Sequence, residues 1–82
     1  MTTSQASILT YLAATHRLNA DAEVSGPELQ RELSLDAATL TECVTQLADQ
    51  GLVEWDRFLS NMWLRITDKG LMNLARDQES PA

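Results

Sequence analysis

One cysteine, Cys43, and one histidine, His16, are all the thiol and imidazole that these 82 residues contain. A lone thiol cannot close an intrachain disulfide, and neither residue can build a zinc site by itself. No apolar run approaches the ~18–20 residues of a membrane span. The opening "MTTSQASILTYLAATH" has no basic start ahead of its apolar stretch, so a secretory leader is not expected and a cytoplasmic protein is. Basic residues are scarce as well: six Lys and Arg stand against twelve Asp and Glu, for a net charge of −6. There is no internal repeat and no linker-like stretch. The chain is therefore expected to be one domain over residues 1–77, with 78–82 as a frayed polar tail.

Catalytic grouping is missing too. His16 has no nucleophile or carboxylate at a spacing that suggests a general base. Asp21 and Glu23 would make a weak metal site from two carboxylates alone. Gly26 and Gly70 have no phosphate-loop pattern around them. No cofactor, no metal and no enzymatic activity are expected.

Six stretches with helical or strand character are present. Ile8, Tyr11 and Leu12 recur at helical spacing from about Ser4 to Arg17, with Thr3 or Ser4 as cap. In "VSGPEL", Ser25 is placed as N-cap and Glu28 three residues later as its capping-box partner. Pro27 falls in the first turn, and Val24 with Leu29 fits a hydrophobic staple. Asp36 caps a further helix on which Leu40, Cys43, Val44 and Leu47 follow the i, i+3, i+4, i+7 pattern of one buried face. Gly51 then supplies a left-handed terminus. Cys43 on that face is expected to be a buried structural thiol. After Gly51 the period becomes two. "LVEWDR" and "NMWLRIT" read as strands around a turn at "FLSN", with Met62, Leu64 and Ile66 on one face and Trp63 and Arg65 on the other. Thr67 or Asp68 caps a last helix through about Arg76, with Leu71 and Leu74 inward.

Two of these stretches carry a resemblance. "LSLDAATLTECVTQLADQGLVE" is similar to the recognition-helix region of MarR-like regulators, and "LRITDKGLMNLA" resembles the strand-to-helix ending of the same families, with Ile66, Thr67, Gly70 and Leu74 in place. The resemblance spans about Val24 to Ala75. It implies an α+β, mostly α fold of the winged-helix type: a three-helix bundle containing a helix-turn-helix, a two-stranded β-hairpin wing and a C-terminal helix. Position by position, it assigns Ala38, Thr39, Thr41, Glu42, Thr45, Gln46 and Asp49 to the side of the recognition helix that faces a major groove.

Charge decides how that side is expected to work. From Asp36 to Gln50 there is no Lys or Arg. Residues 19–56 carry −8, whereas 57–76 carry +3. A DNA-binding protein built this way would read bases with Thr39, Thr41, Glu42, Thr45 and Gln46. It would take phosphates with Arg31, Arg57 and Arg65, and would double those few cations by forming a homodimer. Pairing of Arg57 or Arg65 with Glu54 or Asp56 across the hairpin competes with that role. A small winged-helix transcriptional regulator that binds duplex DNA as a homodimer is the leading expectation. The alternative is an acidic winged-helix module that binds another protein or a second copy. Of the chain's four aromatics three crowd into "WDRFLSNMW", where Phe58, Leu59 and Trp63 are the residues expected to touch a protein partner.

Overall fold

The computed structural model describes residues 2–56 and 62–79, with side chains through residue 76. Arg57, Phe58 and Leu59, and the turn expected there, lie outside the described residues. The order is α1 (Thr3–Leu18), α2 (Gly26–Leu33), α3 (Ala37–Asp49), β1 (Val53–Asp56), β2 (Trp63–Ile66) and α4 (Asp68–Glu79).

The helix ends are set by local hydrogen bonds. The N-cap of α1 is Thr2, one residue ahead of the first expected cap, Thr3. Thr2 Oγ1 accepts from the Gln5 backbone N–H at 3.2 Å, and Gln5 Oε1 accepts from the Thr2 N–H at 3.2 Å. Two of the N–H groups that a helix start leaves unpaired are thereby satisfied at once, which neither Thr3 nor Ser4 would achieve. α2 begins as expected at Ser25, whose Oγ accepts from Glu28 N–H at 3.2 Å. The return half of that capping box does not form, because the Glu28 carboxylate accepts from the Tyr11 hydroxyl at 2.5 Å instead. α3 begins at Asp36, which accepts from Thr39 N–H at 2.7 Å. Its other end closes on Gly51 at φ +75°, with Gly51 N–H bonded to Ala48 O and Leu52 N–H to Leu47 O, both at 2.9 Å. That pair of bonds is the Schellman arrangement, and it needs a left-handed residue.

β1 and β2 pair antiparallel in the register Val53↔Ile66, Glu54↔Arg65, Trp55↔Leu64 and Asp56↔Trp63. Opposed residues share a face, so Val53, Trp55, Leu64 and Ile66 turn to the helices, and Glu54, Asp56, Trp63 and Arg65 turn away. Met62 does not share the Leu64 face as a strand residue. It precedes β2 at φ +50°, half-buried against the core. A third partner joins the pair: Val24 bridges to Leu64, each donating its N–H to the other's carbonyl at 2.8 Å. Gly26 N–H donates to Met62 O at 3.1 Å one step further on. The chain just before α2 thus lies along the far edge of β2.

The core sits between the helices and this small sheet. Ile8, Leu9, Leu12, Leu29, Val44, Leu47, Leu52 and Leu64 are all at most 2% exposed. Cys43 is buried with them, and burial, with a smaller contribution from the Glu42 charge, pushes its thiol up. Leu18 and Met72 are the large apolar side chains left exposed among the described residues, at 90% and 62%. α4 runs to Glu79, beyond the end expected near Arg76. It is fastened at its start by Thr67, whose Oγ1 accepts from Gly70 N–H at 3.0 Å and donates to Gly51 O at 2.6 Å, while Thr67 N–H donates to Leu52 O at 3.1 Å. Helix, helix-turn-helix, hairpin and helix packed in this way make a winged helix.

The α3 end and the α4 start therefore cross at backbone distance. A Cβ placed on Gly70 would lie 2.3 Å from Leu52 O and 2.7 Å from Ile66 Cγ1. Gly70→Ala is expected to cost about 1–3 kcal/mol of stability, the usual penalty for overpacking a filled interior. Urea denaturation checks it, and an unchanged midpoint would mean that the two segments are not in contact.

Candidate nucleic-acid interface

α3 is held on one side only. Leu40, Cys43, Val44 and Leu47 enter the core, and the opposite side is left to solvent: Ala38, Thr41, Glu42, Thr45, Gln46 and Asp49 are exposed and Thr39 is half-buried. The 3.6-residue period produces this division without further help. The candidate base-reading residues Thr39, Thr41, Glu42, Thr45 and Gln46 thus lie together along one free helix face.

Their chemistry is more constrained than exposure suggests. Thr45 Oγ1 donates to Thr41 O at 2.8 Å within the helix. The Gln46 side-chain oxygen accepts from Gln5 Nε2 of α1. Asp36, at the N-terminus, is held below the usual carboxylate range by its hydrogen bonds to Thr39, through the side chain first and then the backbone. With Glu42 and Asp49 also on α3, the face carries negative charge along its length.

Two of the candidate cations lie on other elements. Arg31 lies on α2, 73% exposed at its side chain and 3.5 Å from Glu32. Arg65 is on the outer face of β2, where it donates to Glu54 at 2.8 Å across the hairpin. Glu54 keeps that guanidinium charged most strongly, and Glu23 and Asp21 reinforce it. Arg65 borders a cleft shared with His16, Glu54, Thr67, Asp68 and Lys69, and no residue of α3 lines that cleft. A phosphate bound by Arg65 would compete with Glu54 for the guanidinium. Arg57 lies outside the described residues, as do Phe58 and Leu59; of the three candidate partner-binding residues, Trp63 is on the outer hairpin face and half-buried. His16 ends α1 beside Arg17 in its last turn, and its Nδ1 is buried without a hydrogen-bond partner. Among the described residues no three His, Cys, Asp or Glu side chains come together as a metal site, and no helix is long and apolar enough to cross a membrane.

The contact of Gln5 with this face was not expected from the sequence. Gln5 is buried on the core side of α1. A signal for it was present, because Gln5 falls at the helical spacing of Ile8, Leu9 and Leu12, where an apolar residue is the rule. Tyr11, placed by the sequence at helical spacing with Ile8 and Leu12, is half-buried and also ties α1 to the first turn of α2 through Glu28.

No protein-family model matches the chain, and no curated protein matches it. Among solved structures it is similar to the PcaV transcriptional regulator from Streptomyces coelicolor, determined in complex with its natural ligand. The TM-score is 0.75 and the identity 26%, over 93% of this chain and 52% of that one. It is also similar in fold to the transcriptional repressor BigR from Xylella fastidiosa, with a TM-score of 0.60 and 21% identity over 96% of this chain and 78% of that one. The chain spans about half the length of PcaV.

The Tyr11–Glu28 bond makes the setting of α2 dependent on pH at the alkaline end. The Tyr11 hydroxyl is pushed up to about 12, first by its hydrogen bond to Glu28, then by burial and by the charges of Glu28 and Glu32. A raised folded-state value means that the folded form holds the proton more tightly. The stability contributed is complete below the ordinary value near ~10 and is lost as pH rises toward 12. Tyr11 is the sole tyrosine, so phenolate absorbance reports it without overlap from another. The midpoint is expected near 12 and should fall back toward 10 in Glu28→Gln; a midpoint near 10 in the parent would refute the bond.

Proposed function

From a winged-helix domain with a MarR-like core, we propose a small transcriptional regulator that binds duplex DNA as a homodimer, with α3 as the helix that enters the major groove. The observation that carries the reading is the free face of α3. Thr39, Thr41, Glu42, Thr45 and Gln46 stand on one side of a helix fixed at both ends, by Asp36 and by the Gly51 terminus. Hydroxyl, amide and carboxylate groups are what reads base edges, and Glu42 accepts from cytosine N4. The likeness to PcaV and BigR, both transcriptional regulators by name, supports the same reading.

The electrostatics set its terms. Arg31, Arg57 and Arg65 are the phosphate-binding candidates, three per chain, and the acids of α3 oppose approach to a polyanion. One copy is thus a weak binder, and two copies on one duplex double the cations without adding a new contact type. Exposed Leu18 and Met72 support association of copies, since burying them removes apolar surface from water. Half-buried Trp63, with Phe58 and Leu59 in the adjoining segment, remains the proposed contact of the wing with a protein chain.

Fluorescence anisotropy with random-sequence duplex tests the proposal. At ~50 mM salt, where counterion release helps most, binding should be measurable. Six phosphate contacts in a dimer would give a salt slope of about −5 and lower affinity by on the order of a thousandfold by 200 mM. No binding at low salt would sink the regulator reading. Sedimentation velocity should show two copies in the complex, and one copy bound at saturation would remove the dimer from it.

A further inference from the structure

Gln5 is the buried polar side chain of the described core, 5% exposed, and it reaches the α3 face through Gln46. Which end of each amide faces which is fixed by a chain of necessity. The Thr2 backbone N–H points at Gln5 Oε1 at 3.2 Å. A backbone N–H only donates, so the atom in front of it is the oxygen, and Gln5 therefore turns its Nε2 toward α3. An amide NH2 also only donates, so Gln46 has to answer with Oε1. The two polar atoms of an amide branch from one carbon, which leaves the Gln46 NH2 turned away from Gln5. Gln46 is exposed, so that NH2 is offered on the outer side of α3.

We infer that Gln5 is a positioning residue for base recognition: acting through Gln46, it makes α3 present a hydrogen-bond donor and withholds the adjacent acceptor. This rests on the proposal that α3 enters a major groove. An unconstrained glutamine pairs with adenine through both amide atoms, donating to N7 and accepting from N6. Gln46 with its oxygen engaged inward lacks the accepting half, and its NH2 matches guanine, whose O6 and N7 both accept. Turning Gln46 outward to recover the oxygen would strand the Gln5 NH2 in the core, which opposes that rotation.

Gln5→Glu reverses the polarity without changing the shape. One carboxylate oxygen keeps the Thr2 N–H, the other can only accept, and Gln46 must then turn its NH2 inward and its oxygen out. A carboxylate in the first turn of α1 is favoured by the helix dipole. Two arms read the outcome. The first is side-chain amide hydrogen exchange by NMR on the free protein. Gln5 is expected to exchange slower than a free glutamine side chain by on the order of tenfold or more, with Gln46 fast in the parent and slow in Gln5→Glu. The second is selection from duplexes with randomised base pairs. One position should prefer guanine in the parent and shift to cytosine or adenine, which present N4 and N6 donors, in Gln5→Glu. Gln46→Ala should lose that preference, and adding Gln5→Glu to it should change nothing more. Fast exchange at Gln5 overturns the inference, as does a base preference that Gln46→Ala abolishes and Gln5→Glu leaves alone. A protein that selects no duplex overturns the base-reading part and the regulator proposal together, while the exchange arm still decides the amide polarity.

Discussion

The backbone of Leu64 gives its N–H and its carbonyl to Val24, at 2.8 Å each, and its side chain is wholly buried opposite Trp55. Much of the molecule hangs on that residue. A two-stranded hairpin by itself is marginal in water, and this one has only four residues on each side. The Val24 bridge places β2 between two partners and fixes the chain just ahead of Ser25, where α2 starts. The helix-turn-helix is thereby tied to the hairpin through backbone as well as through the core. The second tie is the crossing of Leu52 with Gly70, where Thr67 hydrogen-bonds Gly51 and Leu52. Between them these two joints set where α3 sits, because α3 ends at the one and its preceding helix begins at the other.

The free face of α3 is then a by-product of packing with particular constraints added. α3 needs four residues in the core, so its other side is exposed whatever it carries. What it carries is polar and acidic, and two of its groups are already engaged: Thr45 with its own helix and Gln46 with the buried Gln5. Arg65, on the outer face of the hairpin, is engaged by Glu54, and the charges of Glu23 and Asp21 also favour its cationic form. At an exposed site such a pair is weak, so the arginine remains recruitable by a phosphate, though only against local competition. Affinity for a nucleic acid would rest less on charge than in a basic winged helix, and more on the geometry of hydrogen-bonding groups along α3.

The elements themselves were legible in the sequence because their causes are local. Ser25, Asp36 and Gly51 announce helix boundaries by the hydrogen bonds and dihedral angles they favour, and a change of period from 3.6 to two announces the hairpin. The outward side of α3 follows from its inward side by the same arithmetic. The losses occurred where a residue had a choice of partners. Glu28 had the correct spacing for a capping box and took the Tyr11 hydroxyl, seventeen residues away. Thr2 was preferred over Thr3 and Ser4 because only it could share two bonds with Gln5. Met62 kept to the core but left the strand, and α4 continued past Arg76 through a polar stretch that no sequence signal ends sharply.

Sequence alone thus determined the order of helices and strands, the apolar residues that fill the core and the poverty of basic residues on α3. Each is a property of residue type and spacing within a few positions. Only the tertiary structure decided that Val24 would lie against Leu64, that Arg65 would pair with Glu54 rather than stand free, and that Gln5 would meet Gln46 across forty-one residues. Those contacts join groups far apart in the chain, or choose among several partners of equal chemistry. The selection depends on where the packed core carries each group. Packing therefore also settled which end of Gln46 faces outward.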